Sequence, residues 1–225
     1  MRCKSLATLV LLLGAFPFAG HQQQAGKPEA EAELLMRPVK LPSSPLSVNS
    51  AFQLAMLSSG APGGEALTEG CAEPSDSAVR PQNVGTLRDV LEDIVTADPE
   101  YRWEVKDGVV NLIPSQRVPD LLTLRISAFD TGDATSVTTA KTFLFGLPEV
   151  RKRAAELGFD QAIYGSGLGD VAPGAPPPPK LNVRLQDVTL LEALNALVRA
   201  HEHGLWMYRE IHCNSTNHFD IKFTE

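Results

Sequence analysis

The stretch TLRDVLEDIVTADPEYRWEVKD (86–107) aligns without a gap to TLLEALNALVRAHEHGLWMYRE (189–210), and no other feature limits the fold of this chain as strongly. Thr86/Thr189, Leu87/Leu190, Leu91/Leu194, Val95/Val198, Ala97/Ala200 and Trp103/Trp206 are identical. Asp89/Glu192, Ile94/Leu197, Lys106/Arg209 and Asp107/Glu210 keep their character, and the only 2 tryptophans coincide. Two helices could share a few leucines by chance. Chance would seldom also register both tryptophans and both capping pairs.

Each copy writes its own helix start. Thr86 or Thr189 stands as N-cap, and an acid three residues on, Asp89 or Glu192, closes a capping box. Leu87, Val90, Leu91, Ile94 and Val95 recur at helical spacing, as do Leu190, Ala193, Leu194, Leu197 and Val198, so each helix has one apolar face to lay on a sheet. Asp98-Pro99 ends the first helix, and alternation then puts Tyr101, Trp103 and Val105 on one side of a strand. Asp107-Gly108 supplies a two-residue hairpin turn into VVNLI (109–113). In the second copy the strand LWMYREI reaches HFDIKF through a longer loop, HCNSTN (212–217).

The segments upstream extend the parallel. SVNSAFQLAMLSSG (47–60) predicts a helix, and SVTTAKTFLFGLPEVRKRAAELG (136–158) a helical stretch broken near Pro148. Strands are expected at LLTLRISAF (121–129), QAIYG (161–165) and KLNVRLQDV (180–188), with RPVKL (37–41) opening the first copy. The expected class is α+β: two tandem β-α-β-β-α-β-β modules, at 37–114 and 121–225, each a small sheet packed against two helices. Four consecutive prolines favour an extended surface conformation in the Pro/Gly-rich insertion 165–180, and the module boundary falls in SQRVPD (115–120).

Residues 1–20 have Arg2 and Lys4, then an apolar run from Leu6 to Phe18, then small residues, which is the layout of a secretory signal peptide. An uncleaved anchor is the other reading of that run. The polar segment 21–36 reads as a flexible leader. Removing Arg2 and Lys4 takes Lys+Arg from 20 to 18 against 27 acids, a mature charge of about −9. Such a surface repels phosphate, which argues against nucleic acid or an anionic membrane as partner. Cys71 and Cys213 remain after export. An oxidising compartment lets them pair if their Cα atoms come within bonding distance; otherwise they are two separate thiols.

Strand, helix and paired strands, then VTLLEALNALV followed by a Trp/Tyr strand and a closing strand, resemble the secretin and TonB short N-terminal (STN-like) domain. The helix-hairpin parts at 84–114 and 187–223 carry the resemblance, and 42–70 and 121–165 support it. It implies a small exported α+β module that docks other proteins, or copies of itself, at the bacterial envelope without chemistry. The resemblance brings no catalytic residue and no cofactor. No barrel, pore segment or transmembrane partner helix accompanies the modules, so the chain reads as a stand-alone periplasmic or extracellular protein whose partner binds at exposed strand edges.

The competing signal is four of the 5 histidines, His201, His203, His212 and His218, falling in the last 25 residues with Cys213. These are ligand types for zinc or copper, and they support the alternative of a periplasmic metal-binding protein or enzyme using the inter-module cleft. The i, i+2 spacing of His201 and His203 does not converge on one helix face, and Glu202 between them favours a polar surface. Ser166 in GSGLG leads into no helix, and Glu92 and Asp93 diverge on theirs. Asn214-Ser215-Thr216 is a formal glycosylation sequon, read here as coincidence. The equivalent places of Trp103 and Trp206 in alternating strands point to core packing rather than ligand stacking.

Overall fold

The computed structural model describes residues 28–71, 77–80, 84–159, 180–201, 204–213 and 216–224. The signal-peptide layout at 1–20, the strand expected at 161–165 and nearly all of the Pro/Gly-rich insertion lie outside the described residues, as do Ser166, His203 and the first two sequon positions.

The elements run α1 (Pro28–Leu35), β1 (Pro38–Lys40), β2 (Leu46–Ser47), α2 (Val48–Ser59), β3 (Gly63–Glu69), β4 (Ala78–Val79), β5 (Val84–Thr86), α3 (Leu87–Ala97), β6 (Tyr101–Lys106) and β7 (Val109–Pro114). The second half continues with β8 (Arg125–Asp130), α4 (Val137–Gly146), α5 (Pro148–Glu156), β9 (Arg184–Thr189), α6 (Leu190–Ala200), β10 (Leu205–Cys213) and β11 (Thr216–Thr224). The fold is mixed α+β.

Local chemistry sets most of these limits. Both repeated helices begin on complete capping boxes: Asp89 N–H donates to Thr86 Oγ1 at 3.3 Å and Thr86 N–H to Asp89 Oδ2 at 2.8 Å, while the matching bonds at Thr189 and Glu192 are 3.2 and 2.6 Å. Gly60 ends α2 in the left-handed region at φ 62°. Pro148 divides the 136–158 stretch into α4 and α5 and sits at the start of the second, where its missing N–H costs nothing. Asp107 and Gly108 both have positive φ, 55° and 75°, the turn that matches the twist of the hairpin strands β6 and β7.

The same local pairing recurs in both halves. β1 lies antiparallel to β5 with Pro38 opposite Thr86, and β8 antiparallel to β9 with Arg125 opposite Thr189. Leu87 N–H donates to Arg37 O at 2.9 Å, and Leu190 N–H to Leu124 O at 2.8 Å. Each capped helix is thus started from a two-stranded ladder.

The main sheet, however, is shared. Instead of one small sheet for each half, a single five-stranded sheet runs β11-β10-β3-β7-β6, with β3 parallel to both β7 and β10 and each hairpin antiparallel. The capped helix and hairpin of the second half, α6-β10-β11, stand as α3-β6-β7 would if turned over about an axis lying in the sheet across the strands. That operation reverses strand direction and moves the helices to the opposite face. α2 and α3 accordingly pack on one face with Val110, Leu112 and Leu205. α4, α5 and α6 pack on the other with Ala66, Val109, Ile113, Trp206 and Ile221.

Two expectations need correction. Residues 28–35 are not part of a flexible leader but form α1, because Leu34 and Leu35 are buried in the core that α3 also fills. The two tryptophans are also not equivalent in burial. Trp206 is fully buried because α6 lies across β10, β3 and β7. Trp103, on the outermost strand β6, is only partly buried, with the Arg88 guanidinium 5.9 Å from its ring centre.

The centre of the sheet rests on Gly63 and Gly64. A Cβ on Gly63 would lie 2.7 Å from Met56 Cγ on one face, and a Cβ on Gly64 2.1 Å from Trp206 Cε2 on the other. Gly64→Ala is therefore expected to lower the unfolding free energy by about 1–3 kcal/mol through overpacking. Denaturant unfolding monitored by tryptophan fluorescence measures it.

Candidate functional site

The chain leaving β3 turns to the α3 face, and the chain leaving β7 turns to the α4 and α6 face. Their divergence opens a crevice at the carboxyl ends of the parallel strands β3, β7 and β10, the place where open sheets with crossovers on both faces form their clefts. The cavity there is about 460 Å³. Its floor comes from Thr68, Pro114 and Glu210 at the strand ends. Glu100 and Tyr101 form one wall, the 116–120 segment another, and Leu157, Phe159 and His212 close the far side.

Alternation along β10 puts Trp206, Tyr208, Glu210 and His212 on one face, and the last three form a chain into the crevice. Tyr208 donates its hydroxyl proton to Glu210 Oε1 at 2.5 Å, and His212 Nε2 lies 3.2 Å from Glu210 Oε2. His212 Nδ1 lies 3.2 Å from Asn217 Oδ1, and the imidazole stands 5.8 Å from the Phe159 ring. Burial, together with the carboxylate of Glu210, pushes the Tyr208 phenol far up, so it acts only as a hydrogen-bond donor. Glu210 is 6% exposed and forms no ion pair with Lys or Arg among the described residues.

The opposite wall is also acidic. Burial, then Asp98, Glu65, Glu100 and Glu69 in that order, push Tyr101 up to about 12. Arg117 reaches Asp120 at 2.5 Å, and Arg153 approaches the other oxygen of the same carboxylate at 3.6 Å. Behind this wall Glu65 on β3 is completely buried. Gln53 Nε2 donates to its Oε2 at 3.2 Å, and its Oε1 has no partner among the described residues. Burial raises Glu65 to about 8, so at neutral pH it is mostly an uncharged acid.

Cys71 and Cys213 form a disulfide across the edge of the crevice, with Cα atoms 4.7 Å apart. The register Ile211↔Glu69 continues two residues further to bring them opposite each other, so the bond closes the end of the β3–β10 seam between the halves. The histidine cluster does not converge. Cys213 sulfur is held in the disulfide, His201 caps the far end of α6, and His218 faces away from His212 on the paired strand. No three His, Cys, Asp or Glu among the described residues are placed to hold a metal ion. Asp93 on α3 is raised by burial and then by Asp89, and it lies outside the crevice.

The period-two pattern W-Y-E-H within LWMYREIHC was the signal that could have found Glu210 and Tyr208 from sequence. Glu65 carried none, because its strand is hidden in GGEALTE. Comparison with protein-family models, curated proteins and solved structures returned no match. The fold and crevice therefore define the class: a mixed α+β protein with a shared central sheet and a cleft at its parallel strand ends.

Two outcomes follow. The disulfide closes a sequence separation of 142 residues, so Cys71→Ser, or reduction of the native protein, is expected to cost about 2–5 kcal/mol of stability. Denaturant unfolding with and without a dithiol reductant reads this. Glu65 binds its proton more tightly folded than unfolded, so the stability it allows is complete below 4.5 and is lost as pH rises to about 8. Glu65→Gln should flatten that decline and leave the variant the more stable at pH 8, as unfolding curves at stepped pH will show.

Proposed function

We propose that this protein is a non-enzymatic, exported protein-interaction protein of the bacterial cell envelope, built on an STN-like pattern used twice. The observation that carries this reading is the outer edge of β6. β6 and β10 occupy equivalent places in the repeat, and the edge of β10 that points away from its hairpin partner takes β3 as a parallel strand over seven residue pairs, Leu205↔Gly63 to Ile211↔Glu69. The matching edge of β6 carries no strand among the described residues. A partner's extended segment would add there as β3 adds to β10.

The side chains of β6 fit that use. Ser115 N–H donates to Glu100 O, so by antiparallel alternation Arg102, Glu104 and Lys106 direct their backbone groups to β7, while Trp103 and Val105 direct theirs outward. Arg102 and Glu104 pair with each other at 2.5 Å, and Lys106 reaches Glu192 at 2.9 Å. These charges guard the edge against indiscriminate pairing. Export is supported by the signal-peptide layout and by the disulfide, which an oxidising compartment maintains. Among the described residues no helix is long and apolar enough to cross a membrane.

Val105→Pro removes one outward N–H without touching the β7 ladder. A photo-crosslinker at Arg102 in the otherwise native chain should yield a defined adduct from an envelope fraction, and Val105→Pro should abolish it while the melting temperature stays close to native. No adduct, or one indifferent to Val105→Pro, would sink the reading.

A further inference from the structure

The crevice has its own chemistry, separate from the β6 edge. Three of its lining residues are carboxylates, Glu100, Asp120 and Glu210, against one guanidinium, Arg117. Asp120 is already shared by Arg117 and Arg153, which leaves Glu100 and Glu210 without a Lys or Arg partner among the described residues. Glu210 is the better placed of the two. It is nearly buried, and Tyr208 and His212 fix it at both oxygens, so its orientation is set before any ligand arrives.

Tyr101 and Phe159 line the same space, and aromatic rings are side chains that attract a positive charge. Beside burial, the carboxylates of Asp98, Glu100 and Glu69 oppose loss of the Tyr101 proton, so the field on this wall is negative as well. Pro114, Val118, Pro119 and Leu157 give the crevice an apolar lining. Its volume of about 460 Å³ suits a small molecule or one long side chain.

We propose that this crevice binds an organic cation, an ammonium or guanidinium group carried on an apolar body. The charged end lies against Glu210 and Glu100, the body against Leu157 and Phe159. The buried, preorganised carboxylate decides between charge and shape here: a neutral ligand of equal size would bring no positive charge to Glu210, which has the Tyr208 hydroxyl and the His212 imidazole beside it but no Lys or Arg among the described residues. The same chemistry can come from a free amine or from a basic side chain of a peptide.

Titration calorimetry of the mature chain tests this with n-butylguanidine, with its neutral urea isostere n-butylurea, and with the capped tripeptide Ala-Arg-Ala. At least one of the two cations is expected to bind with a Kd of about 1 mM or tighter. The urea isostere should bind at least about tenfold more weakly than n-butylguanidine, and Glu210→Gln should lose about tenfold for the cation. Glu100→Gln, at the exposed rim, gives the same direction with a smaller loss and covers the case in which Glu210→Gln fails to fold. Tighter binding of the tripeptide assigns a partner's basic side chain, and tighter binding of n-butylguanidine a free small cation. Val105→Pro should leave n-butylguanidine binding unchanged, so the fate of the β6 edge is read separately. Absence of binding by both cations, or equal binding of the urea isostere, overturns the proposal.

Discussion

Everything in this fold depends on how closely the two layers of helices approach one strand. β3 is the middle of the sheet, and Gly63 and Gly64 present no side chain to either face. Met56 of α2 fills the space above Gly63, and the Trp206 indole lies directly on Gly64, its Nε1–H donating to Asn195 Oδ1 of α6 at 2.8 Å. Glycine is a poor strand former in isolation, and two in succession cost ordering entropy. Burial of Met56 and Trp206 outweighs that cost, since truncating a buried side chain of such size typically loses several kcal/mol. The tertiary contact wins over the local preference.

The turned-over relation of the halves follows from the same strand. β3 leaves one edge to β7 of its own half and offers the other to β10 of the next, so both halves build on it without either closing a sheet alone. Turning the second half over places its helices on the uncovered face, where they bury Ala66, Val109 and Ile113 of the first half. Each half therefore completes the other's core. The crevice is a by-product of this arrangement, because the neighbouring parallel strands β3 and β7 send their chains to opposite faces at their carboxyl ends.

This explains what could be read from the sequence. Features that act within a few residues were legible: the two capping boxes, the Gly60 stop, the Pro148 break, the Asp107-Gly108 turn and the alternation of β6 and β10. The fold class followed from them. β3 was not legible because GGEALTE has no alternation, no Val or Ile and a single β-branched residue, Thr68, and its strand conformation is imposed from both faces by α2 and Trp206. Helix α1 was missed for a similar reason: PEAEAELL is polar except at its end, and Leu34 and Leu35 become meaningful only where α3 receives them. At the crevice, Glu210 and His212 share a readable strand face, but Tyr101, Asp120 and Phe159 come from elements far apart in sequence. Only the topology brings them together.

The seam between β3 and β10 shows which interactions keep such a crevice in shape. Gly63 N–H donates to Gly204 O at 3.1 Å at the start of the seam, and Trp206 locks its middle. At its far end, where Thr68, Glu210 and His212 line the crevice, the chains are about to part, and parallel ladder bonds are weakest where a strand ends beside solvent. Arg209 and Glu69 pair across that end at 3.2 Å, but both are partly exposed, and an ion pair there adds little. A covalent bond does not fray. The Cys71–Cys213 disulfide lies two residues beyond the last ladder pair, so it holds the crevice wall at the position where hydrogen bonds alone would let it open. The placement of that bond follows from the geometry of the parting strands, as the double glycine follows from the geometry of the packed layers.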